Sequence, residues 1–120
     1  MRGINSVYIL GRLGKELESK STNTGKSFVD LSIATNRSIK RGDEWEEETD
    51  WHTVRFWGPQ AQTCCKYLNK GHLVAIEGSL RTDSWTDEEG ESQYRSYVLG
   101  QQLHLLPNQK QSNTGLVPLR

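Results

Sequence analysis

The chain of 120 residues contains only two cysteines, and these are adjacent, at positions 64 and 65. Neighbouring cysteines rarely bridge each other and one pair is too few for a disulfide scaffold, so a reducing cytoplasm is the expected setting. No apolar run approaches the ~20 residues that a membrane helix needs. Residues 1–10 lack the basic and apolar regions of a signal peptide. We therefore expect a cytoplasmic protein that does not enter a membrane.

The sequence also lacks the usual patterns for catalysis, metal binding and cofactor binding. Its carboxylates are concentrated in GDEWEEETD at 42–50 and TDEEGE at 86–91, which we expect to be solvated loops. A catalytic carboxylate needs a partner and a dry environment to shift its pKa, and such runs offer neither. The cysteines and the three histidines show no zinc-type spacing, and no GxxxxGK[ST] phosphate loop is present. We predict no catalytic residue, no metal and no cofactor.

The formal net charge is zero, but the charges are unevenly distributed along the chain. Residues 1–41 hold 8 Lys/Arg against 3 Asp/Glu, residues 42–91 hold 4 against 12, and residues 92–120 hold 3 against 0. A polyanion could meet the basic segments while the acidic runs point away from it. Because charge runs are usually solvated surface, this distribution permits a nucleic-acid partner without requiring one.

Strand-like segments dominate the chain. Alternating apolar residues predict five strands, at 4–14, 28–35, 50–57, 73–82 and 94–106. Gly11 and Gly78 lie inside two of the longest, where glycine indicates a bulge or the tight bend of a barrel corner. We expect residues 37–48 to form a charged loop. The polar, aperiodic residues 107–120 are expected to be a disordered C-terminal segment.

A short helix is predicted between the third and fourth strands, where the apolar period changes. Pro59 can open a helix because its missing N–H costs nothing there, and Gly71 stands where a helix would stop. The small or apolar residues at helical spacing are Ala61, Cys64, Cys65 and Leu68. Three strands, a helix and two strands are the order of a five-stranded Greek-key barrel, the OB-fold. We predict one all-β domain of this kind over residues 1–106.

The run TDWHTVRFWG at 49–58 is rich in aromatic residues for a single strand. Successive side chains of a strand point to opposite faces. One face is expected to belong to the core, and it carries His52, Val54 and Phe56. The other holds two large rings with a cation between them, from Trp51, Thr53, Arg55 and Trp57. Aromatic residues also favour buried positions, so this pattern alone leaves buried and exposed roles for the rings open.

Exposed rings can stack nucleobases while nearby Lys and Arg hold the phosphates. This combination binds single strands with little sequence preference, because every base has a π-face that a duplex would hide. Trp51 and Trp57 would be stacking platforms, with Arg55 as a phosphate clamp or a cation–π partner. Trp85 repeats the pattern inside the predicted hairpin loop at 82–93, where a tryptophan has no evident core to fill.

Several segments, in this order and spacing, resemble the bacterial single-stranded DNA-binding proteins over roughly residues 2–106. The matching segments are GINSVYILGRLG, the strand ending SIATN, TDWHTVRFWG, KYLNKGHLVAIEGSLRT and SWTDEEGE. The resemblance implies an OB-fold that coats single-stranded DNA during replication, repair and recombination. It also implies assembly into a homotetramer, or a dimer, in the bacterial cytoplasm with the nucleoid.

The resemblance assigns roles to individual residues. The base-stacking positions of the family fall on Trp51, Trp57 and Trp85, and the Trp57 position is commonly phenylalanine. Basic positions that line the DNA path fall on Arg2, Lys20, Lys70 and Arg81. His52 falls on a position associated with subunit contact, so we expect it at an oligomer interface.

The chain departs from the family pattern at several positions. Ile39 occupies a further stacking position that is often tryptophan, and basic residues common in the family are replaced by Thr53, Asp83 and Ser84. These differences imply a weaker grip or an altered DNA path, with Arg55 as a substitute on the face that carries Thr53. Longer members end in an acidic and apolar motif that recruits repair enzymes, and no acidic residue follows position 91 here.

We predict a non-catalytic protein that binds single-stranded DNA independently of sequence. One alternative is a primosome-type accessory OB-fold protein that acts mainly through protein contacts, since the net charge is zero and the recruiting motif is missing. A further alternative is a metal-assisted nuclease built on the acidic runs, which a cleavage assay with and without chelator would reveal.

Overall fold

Six strands and one helix make up the described part of the chain, residues 2–106, in a computed structural model. The strands are β1 (Val7–Leu13), β2 (Lys20–Ser21), β3 (Ser27–Arg41), β4 (Glu44–Trp57), β5 (Leu73–Thr86) and β6 (Ser92–Leu105). The helix α1 (Gly58–Tyr67) lies between β4 and β5. The expectation of disorder at 107–120 falls outside the described residues. No helix within residues 2–106 is long and apolar enough to cross a membrane.

The strands form one sheet in the order β1-β5-β6-β4-β3-β2, and an additional pairing of β1 with β3 closes the five long strands into a barrel. Neighbouring strands are antiparallel except for β4 and β6, which run parallel where Val54 faces Val98. This is the predicted Greek-key barrel with a helix after its third long strand. The two-residue strand β2, which pairs with the start of β3, was not predicted.

Alternate residues of the long strands build the barrel core. The fully buried side chains include Val29, Leu31, Ile33, Val54, Phe56, Val74 and Ile76, none more than 1% exposed. Helix α1 adds Ala61 and Cys64 to the same cluster, and Leu68, the residue after the helix, joins it. Cys65 is exposed, because it lies one helical step away from the buried stripe. Burial raises the pKa of the Cys64 thiol to about 12.

Gly78 lies at the bulge where the register of β5 against β6 shifts after Glu77, as its place inside a strand predicted. A Cβ atom at Gly78 would overlap the carbonyl oxygen of Leu99, and one at Gly11 would overlap that of Ala34. Both glycines therefore allow a close approach of strands at which any side chain would be too large. Gly71 does not end the helix, which stops at Tyr67; it lies in the following turn with φ of +88°.

Two predicted loops are strands instead. β3 and β4 pair without interruption from Phe28 and Trp57 to Arg41 and Glu44, so residues 37–48 form a hairpin rather than a charged loop. β5 and β6 likewise pair out to Thr86, which places residues 82–86 in a strand. We call the two-stranded extensions the β3–β4 arm, residues 36–49, and the β5–β6 arm, residues 80–97.

Cross-strand ion pairs explain why the charged segment 37–48 is a hairpin. Arg37 contacts Glu48 at 3.1 Å and Asp50 at 2.8 Å, and Arg41 contacts Glu46 and Glu48, both at 2.8 Å. Opposite charges on neighbouring strands stabilise their pairing. The acidic run at 42–50 is therefore largely a strand whose charges are matched by the basic strand beside it.

Candidate nucleic-acid interface

The pairing of β3 with β4 determines which side chains share a face. Directly opposed residues of antiparallel strands lie on the same side of the sheet. One side, which we call the inner side, carries the buried Val54 and Phe56. The other, which we call the outer face, carries Trp51, Thr53, Arg55 and Trp57 beside Ala34, Ser32, Asp30 and Phe28. The strand therefore separates core and non-core residues as the alternation predicted.

Trp51 is an exposed ring on a rigid support. Its side chain is 60% exposed. A Cβ atom at Gly14 would overlap the Trp51 ring, so the indole lies directly against the backbone that follows β1. The ring is thus held on one side by Gly14 and open to solvent over most of its surface. This geometry settles the choice between a core role and an exposed role for Trp51.

Arg55 lies at the centre of the outer face among three aromatic rings. Its guanidinium carbon is 4.2 Å from the ring centroid of Phe28, 5.2 Å from that of Tyr97 and 5.7 Å from that of Trp57. The Nε and Nη2 atoms of Arg55 donate to the two carboxylate oxygens of Asp30, at 2.7 and 3.0 Å. These hydrogen bonds are the main cause of a raised pKa for Arg55.

Of the two roles considered for Arg55, this geometry provides the cation–π partner. The side chain is only 14% exposed, and Asp30 already occupies its bidentate donor edge. A phosphate clamp needs that edge. Arg55 therefore fixes the rings around it, and its contribution to a phosphate site is limited by the carboxylate that it binds.

Trp57 offers less open surface than Trp51. Its side chain is half-buried, and its ring centroid lies 5.0 Å from that of Phe28 at an interplanar angle of 42°. Tilted pairs at this separation are a favourable aromatic arrangement. Trp57 is therefore partly a structural ring, with a remaining edge directed to solvent on the outer face.

The β5–β6 arm extends the outer face through Tyr97, which contacts Arg55. In the register of this arm Arg81 faces Tyr97, Asp83 faces Arg95, and Trp85 faces Gln93, so Arg81 and Trp85 lie on the side that carries Tyr97. Trp85 is 49% exposed and lies in β5, not in the predicted loop. One continuous surface thus connects Trp51, Arg55, Arg81 and Trp85.

Arg95 is a residue of this surface that the sequence analysis missed. Its Nη2 atom lies 3.6 Å from Asp30 Oδ2, and it faces Asp83 across the β5–β6 arm. Asp83 stands where the family commonly has a basic residue, so Arg95 supplies a cation opposite the substituted position. Pairing the strands on either side of the 82–93 hairpin would have placed Asp83 opposite Arg95.

The remaining basic residues of the prediction lie in different places. Lys20 lines a polar groove of about 260 Å³ on the outer face, together with Lys15, Glu16, Glu18, Asp30, Leu31, Ser32, Thr53 and Arg95. Lys70 is exposed, and its backbone N–H donates to Glu16 Oε1 at 3.3 Å, which places it beside the loop that supports Trp51. Arg2 is exposed ahead of β1, and no described contact joins it to the stacking rings.

His52 lies on the inner side of β4, away from the tryptophans. It is half-buried, and its Nε2 atom shares a hydrogen bond of 2.8 Å with Thr35 Oγ1. Its position is the one that the alternation predicted. Its role at a subunit interface stays a prediction.

The acidic runs are mostly directed away from the rings or used in turns. Along β4 the tryptophans are at odd-numbered positions, on the outer face. The even-numbered positions therefore lie on the inner side with Arg37 and Arg41, and they carry Glu46, Glu48 and Asp50. Asp87, in the second run, accepts backbone N–H groups of Glu89 and Glu91, which lowers the pKa of its carboxyl. Within residues 2–106, no group of three His, Cys, Asp or Glu side chains is placed to hold a metal ion.

Comparison with known sequences is decisive for the family. The family model described as "Single-strand binding protein family" matches residues 4–106. The chain belongs to the single-strand binding protein family. It is 36% identical over 107 residues to single-stranded DNA-binding protein 1 of Chlorobaculum tepidum, and 37% identical over 106 residues to the single-stranded DNA-binding protein of Treponema pallidum. Each match covers 88% of this chain, which spans 66% and 60% of the two relatives' lengths.

Solved structures of similar fold come from the same family. A Plasmodium falciparum SSB in complex with ssDNA matches with a TM-score of 0.76 and 26% identity, over 89% of this chain and 98% of that one. A deletion mutant of the single-stranded DNA binding protein from Thermus aquaticus matches with a TM-score of 0.76 and 28% identity, over 88% and 52%. The predicted family and the predicted OB-fold are confirmed.

Proposed function

We propose that this member of the single-strand binding protein family binds single-stranded DNA independently of sequence, by stacking bases on the tryptophans of its outer face. The observation that carries the proposal is the exposure of Trp51 and Trp85, 60% and 49%, on one surface. Arg81 lies on the same side of the β5–β6 arm as Trp85. The residues of this surface belong to β4 and β5, so the surface is formed before a ligand binds.

The chemistry of this surface suits unpaired bases. A base stacked on an exposed indole gains ~1–3 kcal/mol, and a duplex keeps those base faces hidden. The exposed cations Lys20, Lys70 and Arg81 would neutralise phosphates and release condensed counterions. Arg55 and Trp57 contribute mainly by holding the aromatic cluster in place. This is binding by position and charge, and it requires no catalytic step.

The proposal includes assembly and a cellular role. We propose a homotetramer or a dimer in which His52 contacts another subunit. Since His52 lies on the inner side of β4, such a contact leaves the outer face accessible. The curated relatives named above are bacterial, which supports a role in the cytoplasm, in association with the nucleoid, during DNA replication, recombination and repair.

One ground for the accessory-protein alternative is the zero net charge. Three of the acidic residues that lower the net charge, Glu46, Glu48 and Asp50, are matched by Arg37 and Arg41 on the inner side. Without these three carboxylates and two guanidiniums, the rest of the chain has a formal charge of only +1. What favours DNA binding over a role through protein contacts alone is the exposure of the Trp51 and Trp85 rings.

A fluorescence titration tests the proposal. Oligothymidylate should quench the tryptophan emission, saturate at a defined length, and bind more weakly at the higher of two salt concentrations. A hairpin duplex at matched salt should bind far more weakly, because it presents no open base faces. Equal affinity for the hairpin and for oligothymidylate would contradict the proposal.

A further inference from the structure

Trp45 is the one of the four tryptophans to which the proposed function gives no role. It lies in the β3–β4 arm and is 67% exposed, more than Trp51 or Trp85. It faces Lys40 across the arm, and the Lys40 Nζ atom lies 6.0 Å from the centroid of its ring. A large ring on a two-stranded hairpin adds little to a core, so its exposure needs another explanation.

Trp45 lies on the outer face. Trp51 follows Trp45 by six positions, and Trp57 follows Trp51 by six more. Because strand side chains alternate with a period of two, the three rings are on the same side of β4. At a rise of ~3.3 Å per residue, Trp45 is about 20 Å further along the strand than Trp51.

Charge is sorted across the arm in a way that suits a polyanion. Between Trp45 and Trp51, the outer face carries Glu47 and Thr49, opposite Ser38 and Asn36. Three neighbouring acids are on the inner side, where they pair with arginines. The strip between the rings therefore has one carboxylate, and Lys40 lies at its far end.

We propose that Trp45 and Lys40 form an additional subsite for single-stranded DNA, which continues the path from Trp51 along the β3–β4 arm. The Trp45 ring stacks a base, and the Lys40 ammonium group contacts a phosphate beside it. This inference rests on the proposed function. A separation of about 20 Å is roughly six stacked base steps of ~3.4 Å, and fewer steps of a stretched strand. A strand just long enough to cover Trp51 does not reach Trp45.

A length series of oligothymidylates tests the subsite. Trp45→Ala should leave the affinity for the shortest binding oligomers unchanged and weaken that for long ones by about fivefold or more. Trp45→Phe, which keeps a ring, should recover most of the loss. Lys40→Gln should make the salt dependence for long oligomers less steep by roughly 0.7 and leave that for short ones unchanged. An identical length dependence in wild type and Trp45→Ala would overturn the subsite.

Two controls separate the possible failures. Trp51→Ala should weaken binding at every length. If Trp51→Ala does so while Trp45→Ala has no effect, the subsite is wrong and the proposed function stands; if the wild type binds no oligothymidylate, the proposed function itself fails. Light scattering tests the competing occupant, a second copy of the chain. A reduced mass for Trp45→Ala without any length-dependent loss would assign the ring to a subunit contact and overturn the subsite.

Discussion

The guanidinium of Arg55 and the carboxylate of Asp30 form a bidentate ion pair in the middle of the outer face, at 2.7 and 3.0 Å. The two residues are 25 positions apart in the chain and opposite each other in the β3–β4 register. Both side chains are less than one fifth exposed. Arg95 lies 3.6 Å from the same carboxylate, and the rings of Phe28, Trp57 and Tyr97 are arranged around the Arg55 guanidinium.

The first prediction separates a structural from a phosphate-binding role for Arg55. In the double variant Asp30→Asn with Arg55→Met, one charge of each sign disappears and Arg95 loses its contact with Asp30, so the salt dependence of oligothymidylate binding should not become less steep. Arg81→Gln should make that dependence less steep by roughly 0.7, the value of one phosphate contact on a single strand. Titrations over a range of salt concentrations measure both slopes. A slope change in the double variant as large as that of Arg81→Gln would mean that Arg55 contacts phosphate despite Asp30.

Sequence patterns predicted the barrel better than they predicted its arms. The alternation that buries Val54 and Phe56 has a period of two and can be read from one strand alone. Gly78 inside an apolar run likewise predicted its bulge. The arms depend on charges that lie far apart in sequence and match only in register, as Arg37 does with Glu48. A run such as EWEEETD therefore looked like a solvated loop.

Strand register also explains which parts of the candidate site could be predicted from the sequence. Trp51 and Trp57 share a strand, so their common side followed from the sequence. The partner of Arg55 could not be predicted in this way, since Asp30 is on another strand and faces Arg55 only through the β3–β4 register. Arg95 was missed because it reaches the outer face only through the pairing of β5 with β6. Trp85 was recognised by type but misplaced in a loop.

The second prediction concerns the stacking rings. Trp51→Ala and Trp85→Ala should each weaken oligothymidylate binding by about 1–3 kcal/mol, the usual cost of losing one stacked base. Because both rings are about half exposed or more, urea denaturation should find little change in the free energy of unfolding. Trp57→Ala is the matched contrast: its ring packs on Phe28, so it should lose stability as well. A variant of Trp51 or Trp85 that fails to fold would show that its ring is structural.

The third prediction concerns assembly. His52→Tyr adds volume on the inner side of β4, and a packed interface tolerates added volume poorly, with a cost of typically ~1–3 kcal/mol. The assembly state should therefore fall at dilute concentration, as measured by light scattering across a dilution series. Thr53→Tyr is the control, because it adds a ring at the next residue on the outer face and should leave the mass unchanged. An unchanged mass for His52→Tyr would argue against the interface.

The last prediction uses two adjacent glutamates on opposite sides of the β3–β4 arm. Glu47 lies on the outer face opposite Ser38. Glu48 lies on the inner side, where Arg37 and Arg41 donate to its carboxylate at 3.1 and 2.8 Å. The substitutions Glu47→Gln and Glu48→Gln remove the same charge from positions next to each other. Any difference in their effects on DNA binding therefore reports on the side of the arm rather than on net charge.

Glu47→Gln should tighten oligothymidylate binding by a few-fold at low salt, since two unit charges ~5 Å apart in water interact by about 0.8 kcal/mol. The gain should fade at high salt, because screening confines the repulsion to about 10 Å at 0.1 M and less above it. Glu48→Gln should change affinity less and cost the arm up to ~1 kcal/mol of stability through lost surface ion pairs. Equal gains from both variants would mean that DNA senses only the net charge. A tenfold gain for Glu47→Gln that persists at physiological salt would mean that this carboxylate occupies the DNA path and controls access to it.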